Sequence, residues 1–164
     1  MQPARLLGFP DPVNEVSARL VAAGVVAMAV TAVALDWRWL TVPLAYGFAA
    51  RVLTGPTASP LGQLVTRVLT PRLHVAPRLV PGPPKRFAQG IGLAFSGTAL
   101  VLTAAGEWPA ARVVLLLLAT AAFLEAAFGF CLGCRAFAVL MRLGVIPEEV
   151  CERCAGVRAP AVRG

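Results

Sequence analysis

Four cysteines form two pairs whose spacing is typical of reactive or metal-binding thiols. The pairs are Cys131 with Cys134 and Cys151 with Cys154, and 16 residues lie between them. Two intervening residues place the sulfurs about one helical turn apart, near enough to share a metal ion or to close a disulfide. Two such pairs about 15–20 residues apart are typical of a zinc site with four thiolate ligands. Tetrahedral zinc there has no open position for a substrate, so this interpretation gives the cysteines a structural role.

The second interpretation of the same pairs is redox chemistry. Structural disulfides are disfavoured in the cytosol, where a Cys-x-x-Cys is more often metal-binding or catalytic. Arg135 follows Cys134 and Arg153 precedes Cys154, and a neighbouring cation lowers the pKa of a thiol. The two pairs would then pass a disulfide from one to the other through a mixed disulfide. Inert thiols are the third interpretation, and spacing alone leaves all three open.

Two glycines near Cys131 predict an interruption of the helix that carries it. Gly129 and Gly133 would leave Cys131 near the start of a new helical stretch, where backbone N–H groups favour a thiolate. This arrangement favours Cys131 as the attacking sulfur, whereas Arg135 favours Cys134. The sequence therefore does not assign the attacker.

Glu125 is the one acid in a long apolar run over residues 110–134. A carboxylate at membrane depth is costly and is a functional hypothesis by default. Cys131 lies six positions after it, which places the two side chains about 120° apart round an ideal helix. It shares the cysteine face only if the helix breaks. We expect a basic or hydroxyl partner from another span, in either a structural ion pair or a proton-handling role.

Composition indicates that the protein lies in lipid. Of 164 residues, 58% are apolar and 14% charged, against about 45–50% and about 25% in soluble domains, and the mean hydropathy is +0.75. A soluble domain of this length would bury about 70% of its extended-chain surface, too little to cover this much apolar side chain. Disorder, a secreted disulfide-rich domain and a soluble enzyme are therefore excluded. The basic residues are dispersed between apolar runs, which argues against nucleic-acid binding.

The predicted fold class is an all-α integral membrane bundle of four transmembrane helices. A bilayer core requires about 20 mostly apolar helical residues, and the period-two alternation of a β-barrel is absent. The predicted spans are residues 20–37, 39–54, 88–106 and 110–134. The second span is short and carries Arg51 near its end, where the side chain would reach the headgroups. Residues 1–143 form the membrane domain and residues 144–164 a cysteine-containing tail.

Basic residues predict the orientation of this bundle. Of the 15 Lys and Arg residues, 12 fall in the N-terminal segment, the loop over residues 55–87 or the C-terminal segment, and Arg51 at the end of the second span brings the number on this side to 13. Only Arg38 and Arg112 fall on the other side. By the positive-inside rule both termini, the long loop and all four cysteines are cytoplasmic. Lys85 and Arg86 would lie at headgroup depth before the third span.

The long loop contains one predicted helix. Ser59-Pro60 is a helix start, and the residues after it have apolar side chains at helical spacing: Leu61, Leu64, Val65, Val68 and Leu69. Such an amphipathic helix lies either in the plane of the membrane interface or against the end of the bundle.

Four sequence blocks carry a resemblance to a known family. They are residues 9–15 (FPDPVNE), 59–62 (SPLG), 82–89 (GPPKRFAQ) and 124–134 (LEAAFGFCLGC). Together they resemble a bacterial integral-membrane family catalogued as domain of unknown function 4395. Members are encoded near thioredoxin-like and rhodanese-like sulfurtransferase proteins. The resemblance thus implies a bacterial inner-membrane location and thiol or sulfane-sulfur chemistry, and it favours redox over zinc.

The functional hypothesis is thiol–disulfide or sulfur transfer at the cytoplasmic face. Cys131 and Cys134 are the working pair, Cys151 and Cys154 a secondary pair, and Glu125 a proton donor or acceptor. The expected partners are the lipid bilayer and a thioredoxin-like or rhodanese-like protein, and no nucleic acid. One alternative is a non-enzymatic membrane scaffold whose four cysteines hold structural zinc. Another is a small transporter component with Glu125 on its pathway.

Overall fold

A computed structural model describes residues 9–151, and almost all of its regular structure is helical. The long elements are α1 (Glu15–Ala34), α2 (Thr41–Thr54), α5 (Gly82–Ala104) and α6 (Trp108–Phe128). Shorter helices are α3 (Pro60–Leu64), α4 (Thr70–Arg72) and α7 (Leu132–Arg142), with 3₁₀ turns at Arg38–Leu40 and Glu148–Cys151. Two short strands, β1 (Val13–Asn14) and β2 (Leu79–Val80), pair antiparallel.

Three helices are long enough and apolar enough to cross a membrane, among the described residues. They are α1 with 20 residues, α5 with 23 and α6 with 21. At about 1.5 Å per residue each covers the roughly 30 Å of a bilayer core. The prediction of an all-α membrane protein is therefore supported at this level. α5 starts six residues before the predicted boundary at residue 88, because prolines are tolerated in a first helical turn.

The prediction of four spans is wrong, because the second segment is not one spanning helix. α2 has 14 residues, which is about 21 Å, and it ends at Gly55, whose φ is 64°. A further helical stretch, which we call the loop helix, runs over residues 60–72 as α3, a π-helical turn at Val65–Leu69, and α4. The chain returns along the bundle in these two pieces.

The loop helix packs along α1. Leu61 lies against Gly24, where an added Cβ would be 2.7 Å from the Leu61 side chain. Further along, the hydroxyls of Ser17 and Thr70 are 2.9 Å apart. Val65 is fully buried, whereas Leu64 is half exposed. Gly24 is near the middle of α1, so the loop helix packs along the side of the bundle and not only against its end.

The helices pack as an antiparallel bundle with two distinct ends. α1 packs mainly on α6, and α2 on α5, around a core that includes Val25, Leu44, Phe48, Ala99 and Leu115. At one end, which we call the tryptophan end, the Trp108 indole donates to Asp36 at 2.8 Å. At the other, the cysteine end, Arg19 donates to the last carbonyls of α6, at Ala126 and Ala127. Thus α1 begins where α6 ends.

The predicted fourth span also ends earlier than expected. α6 stops at Phe128, and Gly129 follows in the left-handed conformation with φ of 67°. Glycine adopts this conformation without a Cβ penalty, which is why it commonly ends helices. The chain then starts α7 at Leu132, so Cys131 and Cys134 lie beyond the spanning helix.

Candidate thiol site

Cys131 occupies the N-cap of α7. Its Sγ accepts a hydrogen bond from the backbone N–H of Cys134 at 3.4 Å. This confirms the prediction of a helix break that leaves Cys131 at a new helix start. Gly129 makes the break, whereas Gly133 lies inside α7. Cys131 is buried, Cys134 is half-buried, and both are free thiols. An N-terminal helix end with unpaired N–H groups stabilises negative charge on the capping sulfur.

The pKa values of the two thiols are shifted in opposite directions. A hydrogen bond from the Cys134 thiol lowers the pKa of Cys131, and the nearby Lys85 ammonium acts in the same direction. The same hydrogen bond, with burial, raises the pKa of Cys134 above its ordinary value. Cys131 is therefore the thiolate-forming member of the pair, an assignment that the sequence left open.

Arg135 does not act on Cys134 as its position in the sequence suggested. Its guanidinium lies over the Phe130 ring, 5.1 Å from the centroid. The pKa of Cys134 is raised by its hydrogen bond to Cys131 and by burial, and Arg135 is not among the groups that shift it.

Glu125 pairs with Lys85. The Lys85 Nζ and the Glu125 Oε1 are 2.5 Å apart, which confirms the expected basic partner from another span. Lys85 lies in the first turn of α5 and is only 6% exposed, so its ammonium is buried inside the protein. The pair acts electrostatically on both thiols. The helix break at Gly129 brings Glu125 and the cysteines to one cluster.

A close contact between α5 and α7 holds this cluster together. An added Cβ on Gly133 would lie 2.5 Å from the Ala88 Cα, so only glycine allows the two backbones to approach this closely. One turn further along, the Phe87 and Phe137 rings meet edge to face at 5.6 Å. The residue between the cysteines therefore sets the position of α7 over Lys85.

Arg51 is a further buried cation that the sequence placed elsewhere. It is 5% exposed and points into the bundle, so the expectation that it reaches the headgroups is wrong. Its Nε donates to Gln89 Oε1 at 2.8 Å and its Nη1 to Ser59 Oγ at 3.1 Å. Its guanidinium lies 4.4 Å from the centroid of the Phe48 ring. Ser59 follows the break after α2, and because the chain turns there, its hydroxyl can accept a hydrogen bond from Arg51 inside the bundle.

Cys131 lies between two cavities. The inner cavity, of about 90 Å³, lies among α1, α2, α5 and α6 and is lined by Arg51, Gln89, Glu125 and Cys131 among mostly apolar side chains. The outer cavity, of about 310 Å³, is lined by both cysteines, Lys85, Glu15 and Arg135 with the prolines before α5. A reactant in the outer cavity thus meets both sulfurs, and one in the inner cavity meets only Cys131.

Residues 13–142 match the family model described as a domain of unknown function, DUF4395. The chain belongs to this family. Neither the curated proteins nor the solved structures give a match to the chain. The DUF4395 region begins at β1 and ends with α7, so it contains Cys131, Cys134, Lys85, Glu125 and Arg51.

The second cysteine pair lies at the limit of the described chain and beyond the DUF4395 match. Cys151 is buried and takes part in a disulfide bond, and Cys154 lies outside the described residues. Within residues 9–151, no group of three or more His, Cys, Asp or Glu side chains is arranged to hold a metal ion. The four-cysteine zinc alternative requires Cys154.

Sequence reasoning found the cysteines and Glu125 in this DUF4395 chain but missed two of the groups around them. Lys85 was recognised as basic but not as the partner of Glu125, and Arg51 was assigned to the lipid surface. The hydrogen-bond acceptors of Arg51, which are Ser59 and Gln89, lie 8 and 38 residues further along the chain. The local sequence around Arg51 therefore does not show that it is buried.

Proposed function

We propose that the protein is a membrane-embedded thiol–disulfide or sulfur-transfer component that works through Cys131 and Cys134. The observation that carries the proposal is the N-cap position of Cys131. Its sulfur accepts the Cys134 N–H and has the lower pKa of the two thiols. Cys-x-x-Cys motifs that exchange disulfides depend on one thiol of lowered pKa, commonly at a helix start, and the outer cavity reaches the Cys131 sulfur.

The difference between the pKa values of Cys131 and Cys134 sets the order of steps in the exchange. The Cys131 thiolate attacks one sulfur of a partner's disulfide, a mixed disulfide forms, and the other partner sulfur leaves as a thiolate that takes up a proton. Cys134 then loses its proton and attacks the Cys131 sulfur. The partner leaves as a dithiol, reduced by two electrons, and Cys131 and Cys134 become a disulfide. In sulfur transfer, the Cys131 thiolate instead takes the terminal sulfur of a partner persulfide and releases the partner thiolate.

Glu125 is the proposed proton acceptor for Cys134. Its charge acts on both thiols, and its ion pair with Lys85 holds the carboxylate in place near them. Deprotonating Cys134 is the costly step, because its pKa is raised. A carboxylate that takes this proton would give it up again when the cycle reverses.

The cysteine end is proposed to face the cytoplasm of a bacterial inner membrane, with both termini on that side. Arg19, Arg78, Lys85, Arg86 and Arg135 belong to elements at the cysteine end, whereas Arg38 and Arg112 belong to the tryptophan end. The positive-inside rule favours this orientation. Three tryptophans at the other end suit an interfacial belt.

The proposed partner is a thioredoxin-like or rhodanese-like protein of the cytoplasm. The outer cavity opens both sulfurs to such a protein. In this proposal Cys151 and Cys154 act as a secondary pair that exchanges with the first. The disulfide of Cys151 is the oxidised form that such a pair would adopt.

Single serine variants test the proposal. Cys134→Ser removes the resolving thiol, so a mixed disulfide between Cys131 and a thioredoxin-like partner should accumulate and survive denaturation without reductant. Cys131→Ser removes the attacker and is the matched control, with little or no adduct expected. The proposal fails if neither variant gives an adduct. If, in addition, all four Cys→Ser variants lose bound zinc and stability alike, the structural zinc alternative holds.

A further inference from the structure

Arg51 is a buried cation without a carboxylate of its own. None of the described carboxylates lies within 4.0 Å of its guanidinium, and the nearest electrostatic partner, Glu125, is engaged with Lys85 at 2.5 Å. Its two described side-chain acceptors, Gln89 and Ser59, are neutral. Removing a charge from water without a counter-charge costs several kcal/mol.

The charges around the inner cavity do not cancel unless an anion is present. Arg51 and Glu125 are the charged residues that line the inner cavity, and the charge of Glu125 is already matched by Lys85. A thiolate at Cys131, which also lines this cavity, would place a negative charge in it. When Cys131 is a neutral thiol or part of a disulfide, one positive charge remains in a mostly apolar setting, because the other lining residues are uncharged. A small anion in the cavity would then restore neutrality.

The inner cavity has the size and the donors for such an anion. Its volume of about 90 Å³ exceeds the roughly 10–15 Å³ that a cavity needs to hold one water molecule. A guanidinium carries five N–H donors in a planar fork. Gln89 and Ser59 accept from its Nε and Nη1, and its Nη2 has no hydrogen-bond partner within the described residues. Planar oxygen anions suit this fork well.

We propose that the inner cavity is a binding site for a small inorganic oxyanion, held by Arg51 beside Cys131. Two consequences follow. A bound anion and a Cys131 thiolate disfavour each other, since two negative charges would lie in the same small cavity. Binding is therefore linked to the state of Cys131, with the anion favoured when that sulfur is protonated or oxidised. By linkage, the anion also disfavours the thiolate to the same extent.

Nitrate is the test probe, because it is planar and does not react with thiols. The alkylation rate of Cys131 by the neutral reagent iodoacetamide is measured on the full chain in detergent, with nitrate replacing gluconate at constant ionic strength. Nitrate should slow the alkylation of Cys131 by about fivefold or more, and the effect should saturate as the nitrate concentration rises. The reason is that nitrate fills the space beside the sulfur and disfavours the thiolate. The readout uses Cys131 as a reporter and requires no exchange partner, so it can fail or succeed independently of the proposed function.

Two variants and a control decide whether the effect comes from this cavity. Arg51→Gln removes the charge, and Ala122→Leu fills the cavity while leaving Arg51 in place, since Ala122 lines it. Both should abolish the saturable slowing. Arg67→Gln, which changes an exposed arginine of the loop helix, should retain it. Absence of slowing in the unaltered protein, or its retention in Ala122→Leu, overturns the proposal even if Arg51→Gln fails to fold.

Discussion

At the scale of single residues, the site is a balance of buried charges around one sulfur. Lys85 lowers the pKa of Cys131 and Glu125 raises it, while their ion pair holds both in place. The hydrogen bond from the Cys134 thiol is the largest influence on Cys131. The reactivity of Cys131 is thus controlled by groups on α5 and α6 as well as by its own helix.

Substitutions of the ion pair should shift the pH dependence of Cys131 in opposite directions. Lys85→Met removes a cation and should move the midpoint of Cys131 alkylation to higher pH, and Glu125→Gln removes an anion and should move it to lower pH. Each single variant should also lose about 3–5 kcal/mol of stability, because a buried charge is left unpaired. The double variant is the control, and its thermal unfolding should recover most of that loss. Shifts in the same direction would contradict this electrostatic account.

The sequence predicted the helix break that precedes Cys131 but not the contacts of Lys85 and Arg51, for a physical reason. Gly129 and Cys131 are two residues apart, so local backbone rules sufficed to place the helix break and the N-cap. Lys85 and Glu125 are 40 residues apart, and their contact depends on how α5 packs on α6. The predicted direction of the Arg51 side chain was wrong, because a basic residue near the end of an apolar run has the same sequence pattern in two cases. Its side chain can point to the lipid headgroups or into the bundle.

At the scale of elements, close helix contacts position the thiols. α7 approaches α5 at Gly133, and the loop helix approaches α1 at Gly24. In both places the added Cβ of any other residue would overlap the neighbouring helix. The division of the second crossing into α2 and the loop helix has a similar local origin, because Gly55 and Ser59-Pro60 end one helix and start the next.

Two glycine-to-alanine variants distinguish the contact between α7 and α5 at Gly133 from an effect of helix propensity. Gly133→Ala should destabilise the protein by about 1–3 kcal/mol, because the new methyl would overlap Ala88 and push α7 away. Gly90→Ala in α5 is the matched control. Its Cβ would meet nothing within 4 Å, and alanine is favoured over glycine in a helix interior by about 0.5–1 kcal/mol. Thermal unfolding in detergent measures both. Equal effects at the two positions would show that α7 is not seated on α5.

At the scale of the whole molecule, the two ends differ in chemistry. The cysteine end holds the thiols, the Lys85–Glu125 ion pair and the paired strands β1 and β2, beside which Glu15 forms an ion pair with Arg78. The tryptophan end holds a smaller polar cluster of Asp36, Trp108 and Arg112. Although the predicted number of spans was wrong, α1 begins and α6 ends at the same end, since Arg19 caps the last turn of α6.

Labelling from outside intact cells tests the orientation of these ends. An engineered cysteine at Glu107, which follows the turn after α5, should react with a membrane-impermeant maleimide, because the tryptophan end is expected to face outwards. A cysteine at Arg142, the last residue of α7, is the matched control and should react only after the cells are permeabilised. The reverse pattern would place the thiols in an oxidising compartment and contradict the positive-inside argument.

The most direct test of the central claim is an equilibrium titration of the purified protein in glutathione buffers of known potential. The fraction of Cys131 and Cys134 protected from alkylation is measured after acid quenching. The account predicts that both thiols disappear together in one two-electron transition, with about 30 mV for each tenfold change in the equilibrium constant, and that Cys134→Ser leaves only Cys131 to form a glutathione adduct. Thiols that stay free at every potential, or that become reactive only after a chelator removes bound zinc, would contradict it.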